Sequence, residues 1–201
     1  MTAQPVISVQ ANDVSDSARA HSNLSKNACK ARNSQLKPRD VQIDIIYADD
    51  SELRRDAEVN NTLLLMRQCS NLFDENDQQP DTGIRKLPGT SLESALDNID
   101  TQISSKRTEG INFPAVIVIT LHENEPVPGQ PIPDIERIKD KISNLTRNNQ
   151  GILVISGPIG QLQKELRKAL TDNPKARICP FSDIKSCTQR AFTEGRRLHI
   201  E

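Results

Sequence analysis

Ala115-Val116-Ile117-Val118-Ile119-Thr120 is apolar on both alternating sets of side chains up to its last residue. A strand with one wet face alternates apolar and polar residues, so this run belongs at the centre of a sheet covered on both sides. Covering both faces takes helices, and the flanking sequence supplies them. Upstream, Leu92, Ala95, Leu96, Ile99 and Ile103 form one helical stripe within residues 91–104. Downstream, Pro126, Pro128, Pro131 and Pro133 make residues 124–133 an irregular loop. Asp134 then caps a helix on which Ile135, Ile138, Ile142 and Leu145 recur at helical spacing.

The same alternation continues in both directions. Gly151-Ile152-Leu153-Val154-Ile155 reads as the next strand, and Leu162, Leu166, Ala169 and Leu170 as the helix after it. Residues 176–179 form a short edge strand, followed by a last helix on Ile184, Cys187, Ala191 and Phe192. Toward the N-terminus, Val41-Gln42-Ile43-Asp44-Ile45-Ile46-Tyr47 has the β-branched content of a buried strand. Before it lie a weakly amphipathic helix over residues 19–36 and a short strand, Val6-Ile7-Ser8-Val9. Residues 51–73 are expected to be helical on Leu53, Ala57 and Leu64, although Thr62-Leu63-Leu64-Leu65-Met66 also suits a strand. Residues 74–88 read as a polar surface loop. Strands alternating with helices predict an α/β fold: a doubly wound, mainly parallel sheet with helices on both faces. One domain is expected to span residues 1–201.

Composition narrows the function classes. Lys and Arg total 26 against 27 Asp and Glu, so the chain has no general attraction to nucleic acid or to an anionic membrane. The longest apolar runs fall well short of the roughly 20 residues that a spanning helix needs. Aromatic residues make up 2% of the chain, which leaves the core to Ile, Leu, Val and Ala. Cys29, Cys69, Cys179 and Cys187 lack CxxC spacing, and no basic and apolar leader is evident, so reduced thiols and a cytoplasmic location are expected.

Ligands of doubly wound sheets bind beyond the carboxyl ends of the strands, and two motifs fall there. Asp13-Val14-Ser15-Asp16-Ser17 follows the first strand, placing a carboxylate and two hydroxyls on one turn. Oxygens of this kind suit Mg²⁺, although Ser and Asp also crowd ordinary turns. Pro88-Gly89-Thr90-Ser91-Leu92-Glu93-Ser94-Ala95-Leu96 puts a threonine just ahead of an amphipathic helix, where it can equally serve as an N-cap.

In their order along the chain, these motifs resemble the von Willebrand factor A fold and its metal-ion-dependent adhesion site. The resemblance covers most of the chain. It implies that Asp13, Ser15, Ser17 and Thr90 hold a divalent cation, Mg²⁺, whose open position accepts a carboxylate from a protein partner. The family also places an aspartate after its central strand, commonly in Thr-Asp-Gly, whereas Thr120 here is followed by Leu121-His122-Glu123. Leucine donates nothing to a metal, which leaves Glu123 as the better replacement and His122 as a weaker one.

A second constellation, Asp49-Asp50 at the end of a strand, resembles the start of a phosphorelay receiver domain. A receiver also needs a phosphoacceptor aspartate ending an intervening strand and a later lysine. An exposed helix entry explains the acidic pair as well. Gly157-Pro158-Ile159-Gly160 lacks the Lys-Ser/Thr of a phosphate loop and reads as a strand-to-helix turn. His21, His122 and His199 stand in no recognisable triad order, so no nucleophile and base emerge. The sequence therefore predicts a protein-binding module rather than an enzyme, with a degenerate receiver-like signalling domain as the alternative.

Overall fold

The computed structural model describes residues 3–13, 18, 21–47, 51–54, 69, 92–122, 133–158 and 160–200. Their strands are β1 (Ile7–Asp13), β2 (Val41–Tyr47), β3 (Ser51–Arg54), β4 (Ala115–Thr120), β5 (Gly151–Gly157) and β6 (Ala176–Pro180). The helices are α1 (Ser22–Asn33), α2 (Leu92–Thr108), α3 (Ile135–Thr146), α4 (Gln161–Ala169) and α5 (Ile184–Gly195). The sheet order is β3-β2-β1-β4-β5-β6, with β3 antiparallel to β2 and every other pairing parallel. This is the doubly wound, mainly parallel arrangement expected from the sequence. Winding reverses between β1 and β4, the place where such sheets open a crevice.

β4 lies between β1 and β5, and all six of its residues are buried. On one face, α2, α3 and α4 cover a continuous apolar cluster that includes Ile7, Val9, Ile43, Ile45, Ile117, Ile119, Leu153 and Ile155. The α2 stripe of Leu92, Ala95, Leu96, Ile99 and Ile103 is wholly buried there. Asp134 caps α3 as expected, accepting from Arg137 N at 3.2 Å. On the other face, α1 and α5 cover a smaller cluster around Val116, Ile152, Val154 and Phe192, together with buried polar groups.

Three expectations change. β1 does not stop near Val9 but runs to Asp13, with all seven residues buried. Its polar members Ser8, Gln10 and Asn12 occupy alternate positions from Ile7, Val9 and Ala11, and they meet the polar face beneath α1. The helix expected from residue 51 is, over Ser51–Arg54, a strand whose register pairs Tyr47 with Ser51 and Asp44 with Arg54. Closing the backbone hydrogen bonds of an otherwise open β2 edge outweighs the local helical spacing. The remaining positions of the 51–73 expectation lie outside the described residues, apart from Cys69.

The thiols expected to be reduced are bonded: Cys29 to Cys69 and Cys179 to Cys187, with no free cysteine left. Their Cα atoms stand 5.6 and 6.7 Å apart, inside the range that a bridge spans. Sequence spacing concealed both pairs because the fold brings them together, one across 40 residues and one across 8.

Candidate functional site

The ladder between β1 and β4 runs from Ile7↔Ala115 to Ala11↔Ile119 and no further. Beyond it, side chains take over the backbone groups. Asp13 N donates to Thr120 Oγ1 at 3.0 Å, and His122 N donates to Asp13 Oδ2 at 2.8 Å. Thr120 Oγ1 also lies 3.4 Å from Asn12 Oδ1, which accepts from Gln10 Nε2 at 2.9 Å. Asp13 therefore ends β1 at the switch point between β1 and β4. Its side chain is fixed by a backbone amide of the chain leaving β4, and its accessibility is 0%.

Tyr47, at the end of β2, donates its hydroxyl to the Thr120 carbonyl at 2.5 Å. Burial, and then the negative charge of Asp13, push the Tyr47 hydroxyl well above its ordinary range, so it stays a protonated donor. Leu121 departs from the family pattern because it belongs to the core. It is fully buried in the apolar cluster, donates its N–H to Ser156 O at 2.9 Å and accepts from Gln163 Nε2 at 3.3 Å. Gly157 ends β5 directly against it: a Cβ there would collide with the Leu121 carbonyl oxygen. Close backbone approach, beyond the strand-to-helix turn, is what requires glycine at this position.

The His122 ring lies on the opposite face, 5.1 Å from the Phe181 ring and 5.7 Å from His21, with which it stacks. Burial, assisted by His21, holds its pKa down at about 4, so the imidazole is neutral at pH 7.

Of the residues singled out as metal ligands, Asp13 is the one described, and it ends β1. Ser15, Ser17, Thr90 and Glu123 lie outside the described residues, as do Asp49 and Asp50 of the receiver-like alternative. That alternative needs an aspartate ending a strand between β2 and β4. The described strand there is β3, which is antiparallel and ends at Arg54. No group of three or more His, Cys, Asp or Glu that could hold a metal gathers among the described residues. No helix among them is long and apolar enough to cross a membrane.

Thr120, which bonds Asp13, and Tyr47, Gln163 and Gly157, which pack against the chain leaving β4, were not identified as site residues from the sequence. A glycine ending a strand was the visible sign of the last. The others are ordinary strand-end and helix residues whose partners are distant in the chain.

No family model and no curated protein matches the sequence. Solved structures do match the fold. Proximal thread matrix protein 1 from the mussel byssus superposes with a TM-score of 0.61 at 14% identity, over 99% of this chain and 49% of that one. A von Willebrand factor type A protein from Catenulispora acidiphila gives 0.61 at 13% identity, over 97% of this chain and 43% of that one. A further structure of the byssus protein, with a zinc-occupied MIDAS motif, gives 0.58 at 11% identity, over 94% and 47%. The chain thus spans about half the length of the first of these neighbours or less. Its fold is of the von Willebrand factor A type, as the ordered motifs implied.

Proposed function

We propose that residues 1–201 form a single interaction domain that takes a protein partner at the carboxyl edge of the sheet, around Asp13 and the chain leaving β4. The supporting observation is the fixed carboxylate of Asp13 at the β1–β4 switch point of a von Willebrand factor A fold. Similar folds include one with zinc in the corresponding motif, which makes a cation at this edge reasonable chemistry.

In this reading Asp13, Ser15, Ser17, Thr90 and Glu123 supply hard oxygen donors, a set that fits Mg²⁺ better than a softer metal. Leu121 supplies none, and Glu123 takes the place of the carboxylate that the family resemblance expects after the central strand. The bound cation would leave a coordination position open for a partner carboxylate. The role is non-enzymatic. All four cysteines are oxidised, which removes the thiol nucleophiles, and burial keeps His122 a poor proton acceptor.

Calorimetric titration of Mg²⁺ and Mn²⁺ into the wild type and Asp13→Asn tests the cation. Asparagine keeps an acceptor for the His122 amide while removing the charge. The wild type is expected to give a binding heat that the variant loses. Equal heats, or none from either protein, would rule out a cation held by Asp13.

A further inference from the structure

Four cysteines in a chain without pairing pressure have no reason to arrive two by two at bonding distance. Here they do so at two separate places. Cys29 sits on the buried side of α1 and meets Cys69, and both are nearly inaccessible, at 4% and 0%. The Asn33 side-chain amide lies 3.1 Å from Cys69 Sγ and 3.9 Å from Cys29 Sγ, so a polar group from the same helix packs against the bridge. Cys179 lies opposite Ser156 in the β5–β6 ladder and meets Cys187 in the first turn of α5, within the apolar cluster of Val116, Val154 and Phe192. Neither pair is a CxxC. Bridges between cysteines this buried belong to the structural kind rather than the catalytic kind.

The bridges also join what the sheet does not. Cys69 lies between Arg54 of β3 and Leu92 of α2, a stretch of chain that the first bridge fastens to α1. The second fastens the edge strand β6 to the helix that covers it. Chain entropy makes the longer loop the stronger tie.

From this pairing we infer that the working form of the protein carries both disulfides and is made where thiols are oxidised, not in the reducing cytosol that the cysteine spacing first suggested. Each bridge forms by thiol–disulfide exchange with a disulfide-bearing oxidant, an oxidoreductase or oxidised glutathione. Two cysteine thiols lose two protons and two electrons as one S–S bond forms, and the oxidant's disulfide is reduced to two thiols.

The test is to produce the full chain in one bacterial host by two routes, exported to the periplasm behind an added leader and retained in the cytosol. Free thiols are blocked at lysis, and each product is mapped by non-reducing peptide mass spectrometry and melted. The exported protein is expected to show the Cys29–Cys69 and Cys179–Cys187 peptides with no blocked cysteine, and to melt well above the cytosolic product. Cys29→Ala/Cys69→Ala should lower the melting temperature of the exported protein more than Cys179→Ala/Cys187→Ala does. An exported protein with all four cysteines blocked, or a fully blocked cytosolic protein that melts with the bridged one, would overturn the inference.

Discussion

Ile7, Val9 and Ala11 leave β1 toward α2 and α3, while Ser8, Gln10 and Asn12 leave it toward α1, so one strand serves two chemically different faces. The first face is a single apolar cluster running from β2 to β6. The second holds the buried Arg32–Asp44 ion pair, with Arg32 also 3.2 Å from Ser8 Oγ. Gln10 Oε1, Ser25 Oγ, Ser156 Oγ and Thr188 Oγ1 are buried there without a hydrogen-bond partner among the described residues. Apolar burial is roughly additive, whereas a buried polar layer stabilises only when every member is paired. The first face is therefore expected to carry most of the stability, and the second to be sensitive to which partner is removed.

The largest effect should come from breaking the ion pair on the polar face. Arg32→Ala leaves Asp44 buried without its cation and is expected to cost about 3–5 kcal/mol in urea unfolding. Arg32→Met/Asp44→Leu, which removes both charges, should recover most of that loss. A double variant as unstable as the single one would show that the pair does more than satisfy itself.

On the apolar face, Ile99→Ala opens a cavity under α2 and should cost about 2–5 kcal/mol, with no rescue available from a second site. At the join between the faces and the site, Gly157→Ala forces a methyl group against the Leu121 carbonyl and should cost about 1–3 kcal/mol. In an NMR spectrum it should also shift the His122 amide, because Leu121 is its chain neighbour.

Acid acts on the second face's side of the molecule through Asp40. Burial raises this carboxyl, but the bonds from Arg196 and from the Lys37 and Val6 amides outweigh it, and the folded pKa lies below the ordinary value of 3.8. The unfolded chain thus binds the proton more tightly. The pair's stability is complete above the unfolded value and is lost as pH falls through the folded one. Asp40→Asn should flatten the acid limb of a stability profile measured below about pH 4. Smallest, and opposite in sign, Thr188→Val removes a hydroxyl without a partner among the described residues, at nearly constant volume, and should be neutral or stabilising by up to about 1 kcal/mol.

The same contrast governs what could be read in the sequence. Apolar stripes announce themselves, so β4, β5, α2 and α3 were legible from Ile and Val spacing alone. The polar face was not. α1 looked weakly amphipathic because it buries Ser25, Ala28, Cys29 and Arg32 against strand positions that are themselves polar. Gln10 and Asn12 made β1 look finished at Val9 for the same reason. Asp13 stood out because residues 13–17 put a carboxylate and two hydroxyls within one short stretch, which is a local pattern. The Thr120 and His122 contacts that hold it cross more than 100 residues of sequence and leave no local mark. β3 and the two bridges were hidden likewise, since each depends on what lies opposite in space.

The claim that the carboxyl edge at Asp13 carries the binding is tested most directly by Mn²⁺ titration followed in an amide NMR spectrum of the intact chain. Paramagnetic broadening should appear first at Thr120 and His122, about 20 Å along the sheet from Ile7 and Val41, which should stay sharp. Asp13→Asn should abolish it. Broadening that begins instead on the exposed carboxylates of α2, Asp97 and Asp100, or that persists unchanged in Asp13→Asn, would contradict the account.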